Sequence, residues 1–113
     1  MRREFVILPG FEQQWRSCRL TDENLREVEW FLCQHPDFGD IITETGGLRK
    51  LRWAAQARGK RGGVRILYID FSSYEKIFFI TVYPKNVKAD LTQDEKKLVR
   101  ILINELEQEL KRK

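Results

Sequence analysis

The order of apolar and polar positions along the 113-residue chain predicts alternating strand and helix segments. A short apolar run, Glu4–Leu8, predicts a strand that ends at a Pro-Gly pair. Apolar residues at helical spacing then predict a helix over Phe11–Cys18. A second helix is predicted to begin at Thr21-Asp22, where the threonine can cap it, and to end before Pro36.

The middle of the chain has the pattern of a sheet. We expect a loop over Asp37–Gly47 and then three strands over Leu48–Ala54, Val64–Phe71 and Lys76–Tyr83. The last of these carries an almost unbroken apolar run, which is typical of a central strand covered on both faces.

The C-terminal segment predicts a long amphipathic helix. Thr92 and Glu95 form a T-x-x-E capping box. A stripe of apolar residues follows and predicts the buried side of the helix: Leu98, Ile101, Leu102, Leu106 and Leu110. We expect this stripe to pack on the protein's own sheet, although such a stripe can also bind a partner.

The element order β-α-α-β-β-β-α predicts an α+β fold in one domain, residues 1–113. The expected architecture is a small antiparallel β-sheet with two N-terminal helices and a C-terminal helix. We expect the helices on one face and the other face partly open. Trp15, Trp30 and Trp53 are expected to be core or half-buried residues.

Composition excludes several classes of protein. Apolar residues make up 42% of the chain, which argues against disorder of the whole chain. No apolar run approaches the roughly 18 residues of a membrane span, and no signal peptide is recognisable, so a cytoplasmic protein is expected. Cys18 and Cys33 with the single His35 match no metal-binding pattern, so we expect reduced thiols and neither a metal nor a cofactor.

Positive charge is concentrated in one stretch of the chain. Between Gly46 and Ile69 there is no acidic residue, whereas the whole chain carries only +4, so the remainder is net negative. The stretch contains seven basic residues: Arg49, Lys50, Arg52, Arg58, Lys60, Arg61 and Arg65. Such a block favours a phosphate-rich partner, and nucleic acid is the commonest, although charge runs can also be solvated surface.

Strand alternation predicts that some of these cations share one surface. Lys50 and Arg52 lie on one face of their strand, about 7 Å apart, while Arg49 shares the opposite, inner face with Leu51. The ends of the neighbouring strands add three further candidates: Arg65, Tyr83 and Lys85. If the three strands are neighbours, these side chains converge on one surface suited to phosphate oxygens.

The residues that are missing restrict the chemistry. His35 has no partner for acid–base catalysis, and the acid nearest to the basic face, Asp70, lies at the far end of its strand. Two-metal nuclease chemistry needs clustered carboxylates. RNA can be cleaved without a metal because its own 2′-OH is the nucleophile, given in-line geometry, cations and proton-transfer groups. Cleavage and simple binding of a polyanion both remain open.

Several phrases taken together resemble the RelE/HigB family of bacterial toxins, and more narrowly its HigB branch. They are GGLRK, GKRGG, RI-L-Y and Y-P-K-N, followed by the T-x-x-E helix. The resemblance covers essentially the whole chain. It implies a RelE-like fold and a ribosome-dependent endoribonuclease that cuts mRNA in the A site and stops translation. It also implies a cognate antitoxin, often with a helix-turn-helix domain.

The resemblance assigns catalytic roles to Lys50, Arg52, Arg65, Tyr83 and Lys85. In this assignment Lys85 donates the proton, Arg65 holds the scissile phosphate, and Lys50 or Arg52 lies near the 2′-OH. Asn86 stands where many members have an arginine. Thr92 stands near the position of a tyrosine that stacks on the substrate. Contacts to RNA or the ribosome are predicted for Arg58, Lys60, Arg61 and Arg49.

Two other functions fit the same sequence. A non-catalytic nucleic-acid-binding module would use the same cations only to hold the backbone. An interaction protein would use its last helix to bind a partner.

Overall fold

The computed structural model of the protein describes residues 2–54, 63–87 and 90–113. Its strands are β1 (Glu4–Ile7), β2 (Asp40–Ile41), β3 (Arg49–Ala54), β4 (Gly63–Phe71) and β5 (Lys76–Pro84). Its helices are α1 (Phe11–Ser17), α2 (Asp22–Gln34) and α3 (Gln93–Arg112), with a short 3-10 turn at Ser72–Tyr74. None of the helices in these described ranges is long and apolar enough to cross a membrane.

The strands form one mixed sheet in the order β1-β5-β4-β3-β2. The α+β class and the order of the predicted elements are confirmed. The expectation of a purely antiparallel sheet is wrong, because β1 pairs with β5 in parallel. The predicted loop Asp37–Gly47 contains the two-residue strand β2, which pairs with β3. Both differences arise from contacts between residues that are distant in sequence. The local alternation of apolar and polar residues does not predict such contacts.

The helices α1 and α2 cover one side of the sheet, here called the α1/α2 face. Its core contains Phe11 and Trp15 from α1 and Val28 and Leu32 from α2. The strands contribute Leu51, Ile66, Tyr68, Ile77 and Phe79 to the same core. Phe11 stacks on Phe79 with ring centroids 5.2 Å apart. This face is therefore a closed apolar layer.

Tyr68 connects this core to the segment that follows α2. Its hydroxyl donates to the Pro36 carbonyl oxygen and accepts from the Gly39 N–H, each over 2.9 Å. Burial is the largest cause of a raised pKa for the Tyr68 hydroxyl. A Cβ at Gly39 would lie 2.9 Å from the Tyr68 ring and 3.1 Å from the Lys50 carbonyl oxygen, so glycine is required for this close approach.

The helix α3 lies on the opposite side of the sheet, here called the α3 face. Its Ile103 and Leu110 pack with Leu67, Ile69 and Phe78 of the strands. The prediction that the helices share one face is therefore wrong. Apolar side chains project from both sides of β4 and β5, so each face of these two strands needs its own cover.

The buried side of α3 is rotated from the predicted stripe. Leu106 and Leu110 pack as predicted, but Leu98 is 67% and Ile101 51% exposed, while Ile103 is buried. The contacting seam runs through Val99, Ile103, Leu106 and Leu110. Among the tryptophans, Trp30 is also 70% exposed, contrary to expectation. The spacing of apolar residues predicted where the helix lies in the sequence. It did not predict which side of the helix packs against the sheet.

Local sequence signals set the helix ends. Thr21 caps α2 and Thr92 caps α3, and each hydroxyl accepts from a main-chain N–H three residues later over 3.1 Å. In α3 the Glu95 carboxylate completes the predicted box by accepting from the Thr92 N–H. In α2 the side chain of Asn24 has the same role. The capping residues thus fix where α3 begins relative to the sheet.

Candidate functional site

Three predicted site residues form a row across the α3 face. Arg52 of β3 lies directly opposite Arg65 of β4, and Arg65 lies directly opposite Tyr83 of β5. Neighbouring strands are about 4.8 Å apart, so the two guanidinium stems and the tyrosine ring emerge side by side. The row lies at the end of the sheet where β4 begins.

A β-bulge places Tyr83 in this row. Tyr68 pairs with Phe79, but the preceding residue Leu67 pairs with Thr81, which leaves Ile80 as an extra residue in β5. Phe79 contacts the α1/α2 core, whereas Tyr83 packs on the α3 side. Unbroken alternation would have kept these two residues on the same face. The bulge therefore turns the end of β5 towards Arg65.

Lys85 joins the row from the end of β5. Its main-chain N–H donates to the Gly63 carbonyl oxygen over 3.2 Å. A Cβ on Gly63 would lie 3.4 Å from Cδ of Lys85, which shows that the lysine stem passes over this glycine. Gly63 precedes Arg65 by two positions and thus shares its face. The structure brings Arg52, Arg65, Tyr83 and Lys85 together, and their roles remain predictions.

The cations in this row have few polar contacts. Arg52 and Lys85 are exposed, and their side chains make no hydrogen bond or ion pair with another residue in the described ranges. Arg65 is half-buried and makes one long contact, 3.5 Å from its Nη1 to the Val64 carbonyl oxygen. Like charges directly opposite each other in a sheet are destabilising. The pairing of Arg52 with Arg65 therefore costs the sheet some stability.

Lys50 lies on the same face but has a partner. It pairs in register with Leu67, whose side chain packs under α3. Its Nζ lies 3.4 Å from Oδ1 of Asp90, a residue of the segment that leads into α3. The Lys50 side chain is 15% exposed and that of Asp90 81%. Asp90 is the one acidic residue seen to contact a predicted catalytic cation in the described part of the chain.

The acids are arranged differently from the sequence-based expectation. Asp70, predicted as the nearest acid, binds Arg3 through two hydrogen bonds of 2.7 and 3.2 Å. Both side chains are largely buried, and this ion pair is the main cause of a raised pKa for Arg3. Sequence analysis missed Asp90 because only the tertiary position of α3 brings it to β3.

The predicted RNA-contacting residues divide into two groups. Arg49 projects into the α1/α2 side, as alternation predicted. Its Nη1 donates to the carbonyl oxygens of Asp37 and Gly39 over 3.0 and 2.7 Å. The structure therefore does not bring Arg49 to the cationic row. Arg58, Lys60 and Arg61 lie outside the described residues.

An apolar groove borders the row. It has a volume of about 380 Å³ and lies between β5 and the first turns of α3. Tyr83 forms one wall, and the opposite wall contains Leu91 and Leu98. Val87 at the rim is 66% exposed. The groove offers apolar surface next to the cations.

The row can hold phosphates and stabilise charge on them. Arginine forks bind two phosphate oxygens at once, and lysine supplies a proton donor on a flexible stem. In the described ranges no three His, Cys, Asp or Glu side chains are grouped so that they could hold a metal ion.

Comparison with known proteins agrees with the fold and with the toxin class. The family model described as "RelE toxin of RelE / RelB toxin-antitoxin system" matches residues 10–113. The chain therefore belongs to the RelE toxin family, and membership implies an antitoxin partner.

The fold is also similar to that of the E. coli toxin RelE, solved as an arginine-to-alanine double mutant in the free state. The TM-score is 0.57 at 15% sequence identity, over 78% of this chain and 88% of that chain. At this identity the similarity supports the RelE-like fold, and it assigns no residue a role.

Proposed function

We propose that this RelE-family protein is a ribosome-dependent mRNA endonuclease of the HigB branch, which cleaves mRNA in the A site and inhibits translation in the cytoplasm. The observation that carries the proposal is the row of Arg52, Arg65 and Tyr83, with Lys85 above Gly63. Three strands contribute to one cationic surface, and its cations have few polar partners among the residues that the structure describes.

The proposed reaction uses the 2′-OH of the mRNA as the nucleophile. The 2′-OH gives up its proton to solvent water as its oxygen forms a bond to the adjacent phosphorus, and the bond from phosphorus to the 5′-oxygen breaks. Arg65, at the centre of the row, binds the scissile phosphate and stabilises its developing charge. Lys50 or Arg52 lies near the 2′-OH, and Lys85 donates the proton that the leaving 5′-oxygen takes up. The products are a 2′,3′-cyclic phosphate and a 5′-hydroxyl end.

Cleavage mapping in a reconstituted translation system tests this proposal. Purified protein is added to ribosomes translating a defined mRNA, and new 5′ ends are mapped and tested for a 5′-hydroxyl. We expect cuts in the A-site codon with the wild-type protein. With Lys85→Ala we expect cleavage to fall by about 100-fold, a typical contribution of one proton-transfer group.

A surface arginine far from the row provides the control. Arg26 lies exposed on α2, so Arg26→Ala should cleave like the wild type. If folded wild-type protein yields no new mRNA ends, the endonuclease proposal is wrong. If it binds ribosomes or RNA without cutting, the alternative of a non-catalytic binding module is correct.

The antitoxin partner follows from family membership, and α3 offers it a surface. Leu98 and Ile101 are exposed next to the apolar groove, so the last helix has one side free to bind a partner. We propose that the cognate antitoxin covers this side. Leu98→Lys, a change on an exposed position, should weaken the toxin–antitoxin complex at least tenfold in a calorimetric titration and leave mRNA cleavage unchanged.

A further inference from the structure

We propose that Asp90 is a specificity-determining residue. In the free protein its carboxylate forms an ion pair with Lys50, and this pair weakens the binding of RNA that is not presented by the ribosome. The proposal deepens the function proposed above and rests on it. It begins from the 3.4 Å contact between Lys50 Nζ and Asp90 Oδ1. This contact puts an acid among the cations of the α3 face.

The two side chains differ in accessibility. Lys50 is 15% exposed, whereas Asp90 is 81% exposed, so the carboxylate is on the solvent side of the pair. An approaching phosphate therefore meets a negative charge beside a cation that is itself only 15% exposed. The nearby Arg52 and Lys85 have no such counter-ion in the described ranges, so Lys50 differs from them in having to exchange an acidic partner to bind RNA.

The strength of the pair suits a reversible competitor. An exposed ion pair is worth between zero and about 1 kcal/mol, so a phosphate can displace Asp90 at little cost. Binding of RNA only through its phosphate backbone is nevertheless weakened, because one fewer counter-ion is released from the RNA. An mRNA held by the ribosome brings further contacts that outweigh this loss, whereas free RNA does not.

A double-mutant cycle with RNA binding as the readout tests the idea. The four proteins are wild type, Asp90→Asn, Lys50→Met and the double variant. The probe is a fluorescent single-stranded RNA oligonucleotide, titrated at about 50 mM and at about 500 mM salt. At low salt we expect Asp90→Asn to bind about two- to fivefold more tightly than wild type. The gain should disappear in the Lys50→Met background and at high salt.

Asp94→Asn is the matched control. Asp94 lies in the first turn of α3 and lines a surface depression with Glu44 and Arg100, which Lys50 does not line. The substitution removes the same charge from the same region, and we expect its effect on RNA binding to be less than twofold. Thermal unfolding of each variant confirms that folded proteins are compared.

Four results would overturn the proposal: no gain with Asp90→Asn, an equal gain with Asp94→Asn, a gain that persists in the Lys50→Met background, or no binding by any variant at low salt. The endonuclease proposal is judged separately, by the mapping of mRNA ends with the wild-type protein. A protein that cuts mRNA but shows none of the expected binding differences would refute the role of Asp90 alone.

Discussion

The arginines on the two faces of the sheet differ in their partners. On the α1/α2 face, Arg3 is paired with Asp70 and Arg49 is bound to two carbonyl oxygens. On the α3 face, Arg52 and Arg65 stand directly opposite each other, and neither contacts a carboxylate in the described ranges. A cation that already satisfies main-chain or carboxylate groups stabilises the fold. A cation placed next to another cation is available for a ligand.

The difference is clearest between residues close in sequence. Arg49 and Arg52 belong to the same strand, three positions apart, yet they point to opposite faces. Residue type and charge density do not distinguish them, and strand alternation does. The comparison therefore separates an arginine that holds the loop after α2 from an arginine whose side chain has no polar partner in the described ranges.

Replacing Arg65 tests the comparison with the largest expected effect. Arg65→Ala should reduce mRNA cleavage by about 100- to 1000-fold, because it removes the central donor of the row. The free energy of unfolding should change by less than about 0.5 kcal/mol, as for other surface positions. Cleavage assays and urea unfolding give the two values.

Arg49→Ala is the counterpart on the other face. It should lower the free energy of unfolding by about 1–2 kcal/mol, because it leaves carbonyl oxygens without their donor. Cleavage by the folded fraction should stay within about threefold of wild type. If the two arginine variants show the same pattern, the division of the faces is wrong.

The orientation of α3 on the sheet gives a second comparison, between a buried and an exposed isoleucine of the same helix. Ile103→Ala should cost about 2–4 kcal/mol of unfolding free energy, since Ile103 is buried between the helix and the sheet. Ile101→Ala, two positions away and half exposed, should cost less than about 0.5 kcal/mol. Urea unfolding of the pair checks this, and a larger loss at Ile101 would support the predicted stripe instead of the observed seam.

Removing the hydroxyl of Tyr68 should weaken the α1/α2 side. Tyr68→Phe leaves the buried Gly39 N–H without its acceptor, so we expect a loss of about 1–3 kcal/mol at neutral pH. A stable Tyr68→Phe protein would show that this hydroxyl does not hold the loop.

The same hydroxyl gives a test in alkali. Because burial raises the pKa of Tyr68 in the folded state, the folded protein retains this proton at a pH where the unfolded chain has lost it. The stability of the wild type should therefore fall as the pH rises through about 10, the ordinary tyrosine value, and towards the folded pKa. Tyr68→Phe should lack this part of the fall, which unfolding curves at pH 9 to 11 would show.

The smallest expected effect concerns an acid on the α1/α2 side. Burial raises the pKa of Glu29 on α2, so its ionisation at neutral pH opposes folding. Glu29→Gln should stabilise the protein by a few tenths of a kcal/mol at pH 7. The gain should vanish below about pH 4, where both states are protonated, and calorimetry at the two pH values checks this.

Local signals in the sequence predicted much of the fold. The caps at Thr21 and Thr92 mark real helix starts, because a hydroxyl and the N–H three residues later meet in any helix. Alternation also placed Lys50 and Arg52 on one face and Arg49 on the other. The resemblance to RelE/HigB toxins gave the family correctly, while its assignment to the HigB branch remains a prediction.

Long-range contacts explain what the sequence did not reveal. The parallel pairing of β1 with β5 joins segments at the two ends of the sheet-forming chain. The choice of Ile103 over Ile101 as a buried residue depends on how α3 lies on the sheet. Asp90 reaches Lys50 only because α3 begins there. A short window of sequence contains only one member of each of these contacts, so it cannot show that the two members meet.

The extra residue in β5 has a consequence for how this protein can change. Because Ile80 resets the direction of every side chain after it, deleting a single residue there would send Tyr83 and Lys85 to the opposite side without altering either one. Natural variants should therefore tolerate substitutions within residues 79–83 more readily than an insertion or a deletion there.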